Sequence, residues 1–377
     1  MQQTVLSVAQ VPACAPDPAG ALRTGLGQGP FALIIVFVSP HADLPALAQE
    51  LGQCFGETPV IGCTTAGEIT TEGYDEGMIV AAALPAQFFR ATPLLIPDLA
   101  HFDAQAVIGD LIRTRAALAR DCPDWAHEFA FLMVDGLSIK EDALTSVLAS
   151  GLGTMPLFGG SAADGTRFLE TFVLHGGQLL RNAAVLAVVR TQCPLKVFKF
   201  DHFRPTDTRM VVTSADPARR IVRQINAEPA AREYARLLGK DPAQLNPFTF
   251  AAHPVVVRIG GRHHVRSIRQ VEDNGDLVFY SAIDEGLVLT LAEPLDMVAH
   301  LASEFDSLAT SEPPLAILAC DCVLRRMEAQ EKQLSQQLSA ILRHNRVTGF
   351  STYGEQFNAM HVNQTLTGVA FYAPMAV

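Results

Sequence analysis

A chain of 377 residues, 49% hydrophobic and 18% charged, has the composition of a globular protein with room for two or three domains. Its formal charge of −11 argues against nucleic acid and against anionic membrane as main partners, because both demand a basic surface. The longest apolar runs, such as FALIIVFV, are strand length and well short of the ~20 residues a membrane helix needs.

The start, MQQTVLSVAQ, lacks a basic segment followed by an apolar core, so no secretory leader is read and a cytoplasmic location is expected. Seven scattered cysteines fit reduced thiols better than a disulfide framework. Cys320 and Cys322 form a C-x-C, a weak metal signal without a second pair.

Residues 1–28 read as an N-terminal segment. From there the chain repeats itself. Phe31–Ser39 is a continuous apolar run, a buried strand. Leu44, Leu47, Leu51 and Phe55 then recur at helical spacing, followed by IGCTTAGE and the strand MIVAAAL. The second copy runs FAFLMVDG, a helical stretch over 140–152, PLFGGSAADG and AAVLAVV. The third runs LAILACDC, a long helix over 323–344, VTGFSTYGE and LTGVAFY. In register, the polar loops carry Gly62, Gly159 and Gly349, then the hydroxyls of Thr64, Ser161 and Ser351, then Gly67, Asp164 and Gly354.

The unit is strand–helix–strand–loop–strand. The crossover makes its first two strands parallel, and the last returns antiparallel. The fold class is therefore mixed α/β, or α+β: mixed sheets of repeated strand-helix-strand-strand units, covered by helices, in a two-domain chain cut near residue 222 (29–222 and 223–377). The gap from Gly159 to Gly349 is about twice that from Gly62 to Gly159, which leaves space for a fourth, degraded copy. Loops at strand ends are where such sheets gather ligands, although glycine and hydroxyls also simply make turns.

Between the second and third copies, residues 218–238 read as helical with a break at Pro229. Residues 255–280 read as a three-stranded meander turning at Gly260–Gly261 and Asn274–Gly275. It carries Arg258, Arg262, His263, His264, Arg266 and Arg269, a basic patch suited to a carboxylate or phosphate, or merely a solvated face. The long helix has an apolar stripe that suits packing on the sheet, and its outer turns offer a homodimer contact.

Several segments, in order, resemble the FIST family: PVIGCTTAGEI, PLFGGSAADG, CPLKVFKFDHFRPTD with MVVTSAD, EPAAREYARLLG, the D-C-x-x-R of Asp321 to Arg325, and TYGEQFNAMHVNQTLTGVAFY. The resemblance implies an N-terminal and a C-terminal FIST domain and a cytosolic sensory protein rather than an enzyme. It further implies a small ligand, for some members haem b with nitric oxide as the sensed gas. The expected partner is a histidine kinase or a cyclic-di-GMP cyclase or phosphodiesterase.

A haem iron needs an axial donor in an apolar pocket. Only the third copy is followed by such a donor, His361, flanked by Phe357, Met360 and Val362, with Asn363 and Gln364 near enough to orient the ring. His361 equally suits a structural histidine bonding its own loop. His344, His202 and His264 are rival ligands, and Arg262 or Arg266 could pair with propionates. Another small ligand, such as an amino acid, is the alternative to haem. A catalytic reading would need Ser161 with Asp164, or Cys63, as nucleophile, but no G-x-S-x-G elbow is present.

Overall fold

A computed structural model describes residues 4–259, 261–309 and 312–374. Three six-stranded mixed sheets are built to one plan. In the first, Phe31–Val38 and Val60–Thr64 are parallel, joined through helix Leu44–Cys54. Strand Met78–Pro85 returns antiparallel to Phe31–Val38, and Ser7–Pro12 flanks it on the outside. The second sheet repeats this with His127–Val134, Leu157–Ser161, Ala184–Thr191 and Phe89–Ile96. The third does so with Ala316–Cys322, Val347–Thr352, Leu366–Phe371 and Leu195–Phe200.

The returning strand thus pairs with the first strand of its unit, leaving the second strand with a free edge. That edge is filled by a hairpin from the next unit. The hairpin Val173–His175 with Gln178–Leu180, from the second unit, pairs with Val60–Thr64 of the first. Glu355–Phe357 with Met360–Val362, from the third, pairs with Leu157–Ser161 of the second. Glu68–Thr70 with Gly73–Asp75, from the first, pairs with Val347–Thr352 of the third and closes the ring.

The apolar runs are continuous because both faces of each strand are covered. Leu33, Ile35 and Phe37 face a central core shared with Phe129, Phe131, Phe158, Leu318, Phe350 and Phe371 from the other two sheets. Phe37 stacks on Phe350 at 4.6 Å and meets Phe131 edge-on at 6.5 Å. The alternate residues Ile34, Val36 and Val38 face outward, onto helices Pro18–Leu26 and Leu44–Cys54. Helices Ala104–Asp121 and Glu141–Leu152 cover the second sheet, and Met297–Asp306 and Ser335–His344 the third.

The aligned glycines have a common cause. A Cβ on Gly62, Gly159 or Gly349 would lie 2.3, 2.1 or 1.8 Å from the carbonyl oxygen of Val36, Leu132 or Ala319 on the facing parallel strand. Only glycine allows that approach.

Four expectations are corrected. Among the described residues the long gap holds no fourth copy. It holds an inserted eight-stranded sheet, residues 203–294, with its own core around Val212, Val222, Tyr234, Phe250 and Leu289. The stretch 218–238 is α-helical only over Ala230–Leu238, because Ile221, Val222 and Ile225 bury themselves in the insert as a strand.

The 255–280 region is not one meander. Val255–Ile259 pairs with Arg262–Arg266, and Ile268–Val271 separately with Leu277–Phe279. Asn274–Gly275 does lie in the turn between the latter pair, whereas Gly260 of the proposed Gly260–Gly261 turn lies outside the described residues. The 323–344 helix is two, Val323–Glu331 and Ser335–His344, divided at Gln333, whose φ is +57°. The break turns Leu338 and Leu342 onto the third sheet.

Candidate functional site

The three glycine loops gather at the ends of the parallel strands and bond to one another. Ala66 N–H donates to Ser351 O (2.8 Å) and Ser351 N–H to Gly67 O (2.7 Å). Ala163 N–H donates to Thr64 O (2.9 Å) and Ser161 N–H to Gly354 O (2.8 Å). The shared glycine and hydroxyl positions are therefore scaffold. What differs lies between neighbouring units.

Between the third and first units the side chains form a buried ionic chain. Arg325 Nε donates to Asp321 at 2.8 Å, and Tyr74 hydroxyl donates to the same carboxylate. Arg325 Nη1 lies 2.8 Å from His202 Nδ1, and His202 Nε2 lies 2.9 Å from Glu328. Lys332 completes the chain, 2.6 Å from Glu328. Burial pushes the His202 pKa down. With both ring nitrogens engaged, His202 is no open ligand.

Between the second and third units the inserted sheet closes over the loops. Arg220, at φ +56°, donates from Nη2 to Glu141 (2.6 Å) and Asp142 (2.9 Å) at the start of helix Glu141–Leu152. Asp142 also accepts from Ala282 N–H at 3.0 Å. Arg266 Nη1 donates to His361 O at 3.1 Å, and Gln364 reaches Ala251 O at 3.3 Å.

A cavity of about 70 Å³ lies in this contact, bordered by Gly136, Glu141, Phe168, Arg220, Arg269, Tyr280 and Tyr353. Phe168 stacks on Tyr353 at 4.3 Å, and the Arg269 guanidinium lies 5.1 Å from the centre of the Phe168 ring. Asp164 builds that wall: its carboxylate accepts the N–H groups of Phe168 (2.8 Å), Leu169 (2.9 Å) and Glu170 (3.1 Å) and the Tyr353 hydroxyl. Burial pushes the Asp164 carboxyl up, but these four donors outweigh it and hold it below the usual range.

His361 is 2% exposed, on the hairpin that completes the second sheet. Its Nδ1 lies 3.3 Å from Gln356 Nε2, so Gln356 contacts the ring where Asn363 and Gln364 were expected to, and Gln356 also donates to Ser161 Oγ at 3.0 Å. Gly354 makes room for the ring, since a Cβ there would lie 2.3 Å from His361 Cε1. Burial pushes the imidazole pKa down; Asp142 and Glu141 pull it up, and Arg220 and Arg266 push it down again.

The structure thus brings together His361, Arg266 and Ser161. It does not bring His344 or Arg262, both exposed, nor His264, which burial and nearby Lys199 push down to about 4. Cys63, Cys320 and Cys322 are buried thiols pushed well up by burial, poor thiolates and poor nucleophiles. Arg220, Glu141, Asp142, Phe168, Tyr280 and Tyr353 escaped sequence reading. The one signal was Asp164, an acid where the other copies have glycine.

Atoms on both sides of this contact have no hydrogen-bond partner among the described residues: Arg266 Nε, Arg269 Nε, Ser267 Oγ and Ser281 Oγ on the insert, and Gln356 Oε1, Asn363 Nδ2 and Asn363 Oδ1 on the hairpin side. Each such buried group costs about 1–3 kcal/mol unless something bonds it. A haem does not fit here. His361 is surrounded by polar side chains, and cofactor-sized pockets run to roughly 300–1,000 Å³.

The architecture is a ring of exchanged sheets with a small cavity under an inserted domain, and the sequence comparisons give its family. The FIST N domain matches residues 32–228 and the FIST C domain residues 230–358. The chain belongs to the FIST family, whose domains are sensory modules of signal transduction. It is similar to an uncharacterized protein of Methanocaldococcus jannaschii, 24% identical over an alignment of 313 positions that covers 77% of this chain and 59% of that protein. Among the described residues, no helix is long and apolar enough to cross a membrane.

Proposed function

We propose that this protein senses a small polar molecule carrying a carboxylate, such as an amino acid, in the cavity between the insert and the loops of the second and third units. One observation carries the reading: charged and aromatic groups of the insert (Arg220, Arg269, Tyr280) and of the ring (Glu141, Phe168, Tyr353) converge on that cavity, and Arg269 Nε has no hydrogen-bond partner among the described residues. At ~15 Å³ per water-sized position the cavity holds about five heavy atoms, the size of the smallest amino acids. The Arg269 guanidinium suits a carboxylate, and Glu141 with the aromatic wall suits an ammonium.

The ligand bridges the insert and the ring, so its binding shifts how firmly the insert is held. That change passes to a separate protein, a histidine kinase or an enzyme of cyclic-di-GMP turnover. No catalytic step is assigned to the site.

Thermal melting with a panel of amino acids and short carboxylic acids tests this. A bound ligand raises the midpoint by mass action, and Arg269→Met removes the rise. No shift with any compound at millimolar concentration would overturn it. The haem and nitric-oxide reading competes for His361 and requires the insert to swing clear. A Soret band after haem addition, lost in His361→Ala, would favour it.

A further inference from the structure

The three junctions between units close differently. At the third–first junction, Arg326 fills the space beside Gly67; a Cβ on Gly67 would lie 2.2 Å from its Nη1. At the second–third junction the insert covers the loops. At the first–second junction a cleft of about 240 Å³ remains, bounded by Ser39–His41, Thr65–Gly67, Glu76–Gly77 and Asp164–Arg167.

The acids of this cleft are already engaged. Asp164 is buried and accepts three backbone N–H groups and a tyrosine hydroxyl. Glu76 lies 3.1 Å from Arg326 Nη2. Its cation, Arg167, is looser. Arg167 is half exposed; its Nε donates to the Asp164 carbonyl at 3.1 Å and stands 3.8 Å from the carboxylate. His41 is exposed on the opposite lip. Ser39 and Thr166 also line the cleft.

We propose that this cleft is a second binding site, taking a small oxyanion on Arg167 with His41 and the hydroxyls closing around it. A guanidinium that is half exposed and only loosely paired can turn to a carboxylate or phosphate group at little cost. The location matters because one loop serves both places. Arg167 lines the open cleft, Phe168 lines the covered cavity, and Asp164 holds the two in register. The site stands independently of what the covered cavity binds.

Titration calorimetry of the full chain with inorganic phosphate, and separately with acetate, tests it without any ligand of the covered cavity. Saturable binding is expected, at least ten-fold weaker in Arg167→Met and restored in Arg167→Lys. Thr166→Asp leaves Arg167 in place and sets a carboxylate in the cleft, so it should abolish binding by repulsion. Binding of phosphate alone assigns a phosphate ligand, and of acetate alone a carboxylate. No binding of either below ~10 mM, or equal binding in wild type and both cleft variants, overturns the proposal.

Discussion

Replacing Gly159 by alanine puts a methyl carbon 2.1 Å from the carbonyl oxygen of Leu132, if nothing moves. Carbon–oxygen contacts between strands settle near ~3.3 Å, so the strands must part by about 1 Å at this point. Both belong to a parallel ladder with buried faces on each side, where neighbours give little. Overpacking of this kind costs roughly 3 kcal/mol or more, a sizeable part of the ~5–15 kcal/mol that holds a typical domain folded. Urea denaturation followed by circular dichroism should show a clear drop in midpoint for Gly159→Ala, and likewise for Gly62→Ala and Gly349→Ala. Gly165→Ala is the control. It has left-handed backbone, φ +74°, but nothing within 4 Å, so only the ~1–2 kcal/mol of backbone strain applies. An unchanged midpoint in Gly159→Ala, or a larger loss in Gly165→Ala, would refute the reasoning.

Glu68 is buried, and burial raises its pKa from 4.5 to about 7. A raised carboxyl favours the folded state when protonated: its contribution is whole below pH ~4.5 and lost as pH rises through ~7. Glu68→Gln should therefore flatten the decline in stability between pH 5 and 8 by up to ~3 kcal/mol, read from denaturation midpoints across pH. Asp164 has the opposite sign, since its lowered pKa gives stability above the ordinary carboxylate range that is lost as pH falls. Asp164→Asn should remove that acid-side loss and loosen residues 164–170, read as faster hydrogen exchange there. Arg220→Met leaves buried Glu141 and partly buried Asp142 without their cation. Breaking such a pair costs about 3–5 kcal/mol, and limited proteolysis should then cut residues 203–294 before the ring.

The repeats, their strands and crossover helices, and the glycines that let parallel strands approach were all legible, because each has a local signature. The hairpin exchange was not, since pairing one unit's hairpin with another's sheet leaves no mark in either segment. Nor was the insert, whose strands lack the repeat's long apolar runs. The division at Gln333 has neither glycine nor proline to announce it. At the site, His361 and Arg266 stood out by residue type and proved to be neighbours. Arg220, Glu141 and Asp142 look in sequence like ordinary surface charges, and only the docking of the insert makes them partners.

The exchanged hairpins have a consequence for how the molecule could have arisen and how it could be taken apart. A single unit cut from the chain would present one bare strand edge and, elsewhere, one hairpin made to fit that edge on a neighbour. It could not satisfy itself. Three copies could satisfy one another head to tail, with the same rotation that closes the ring here. The covalent chain is then a trimer fused end to end, whose third member alone acquired a cap over one seam.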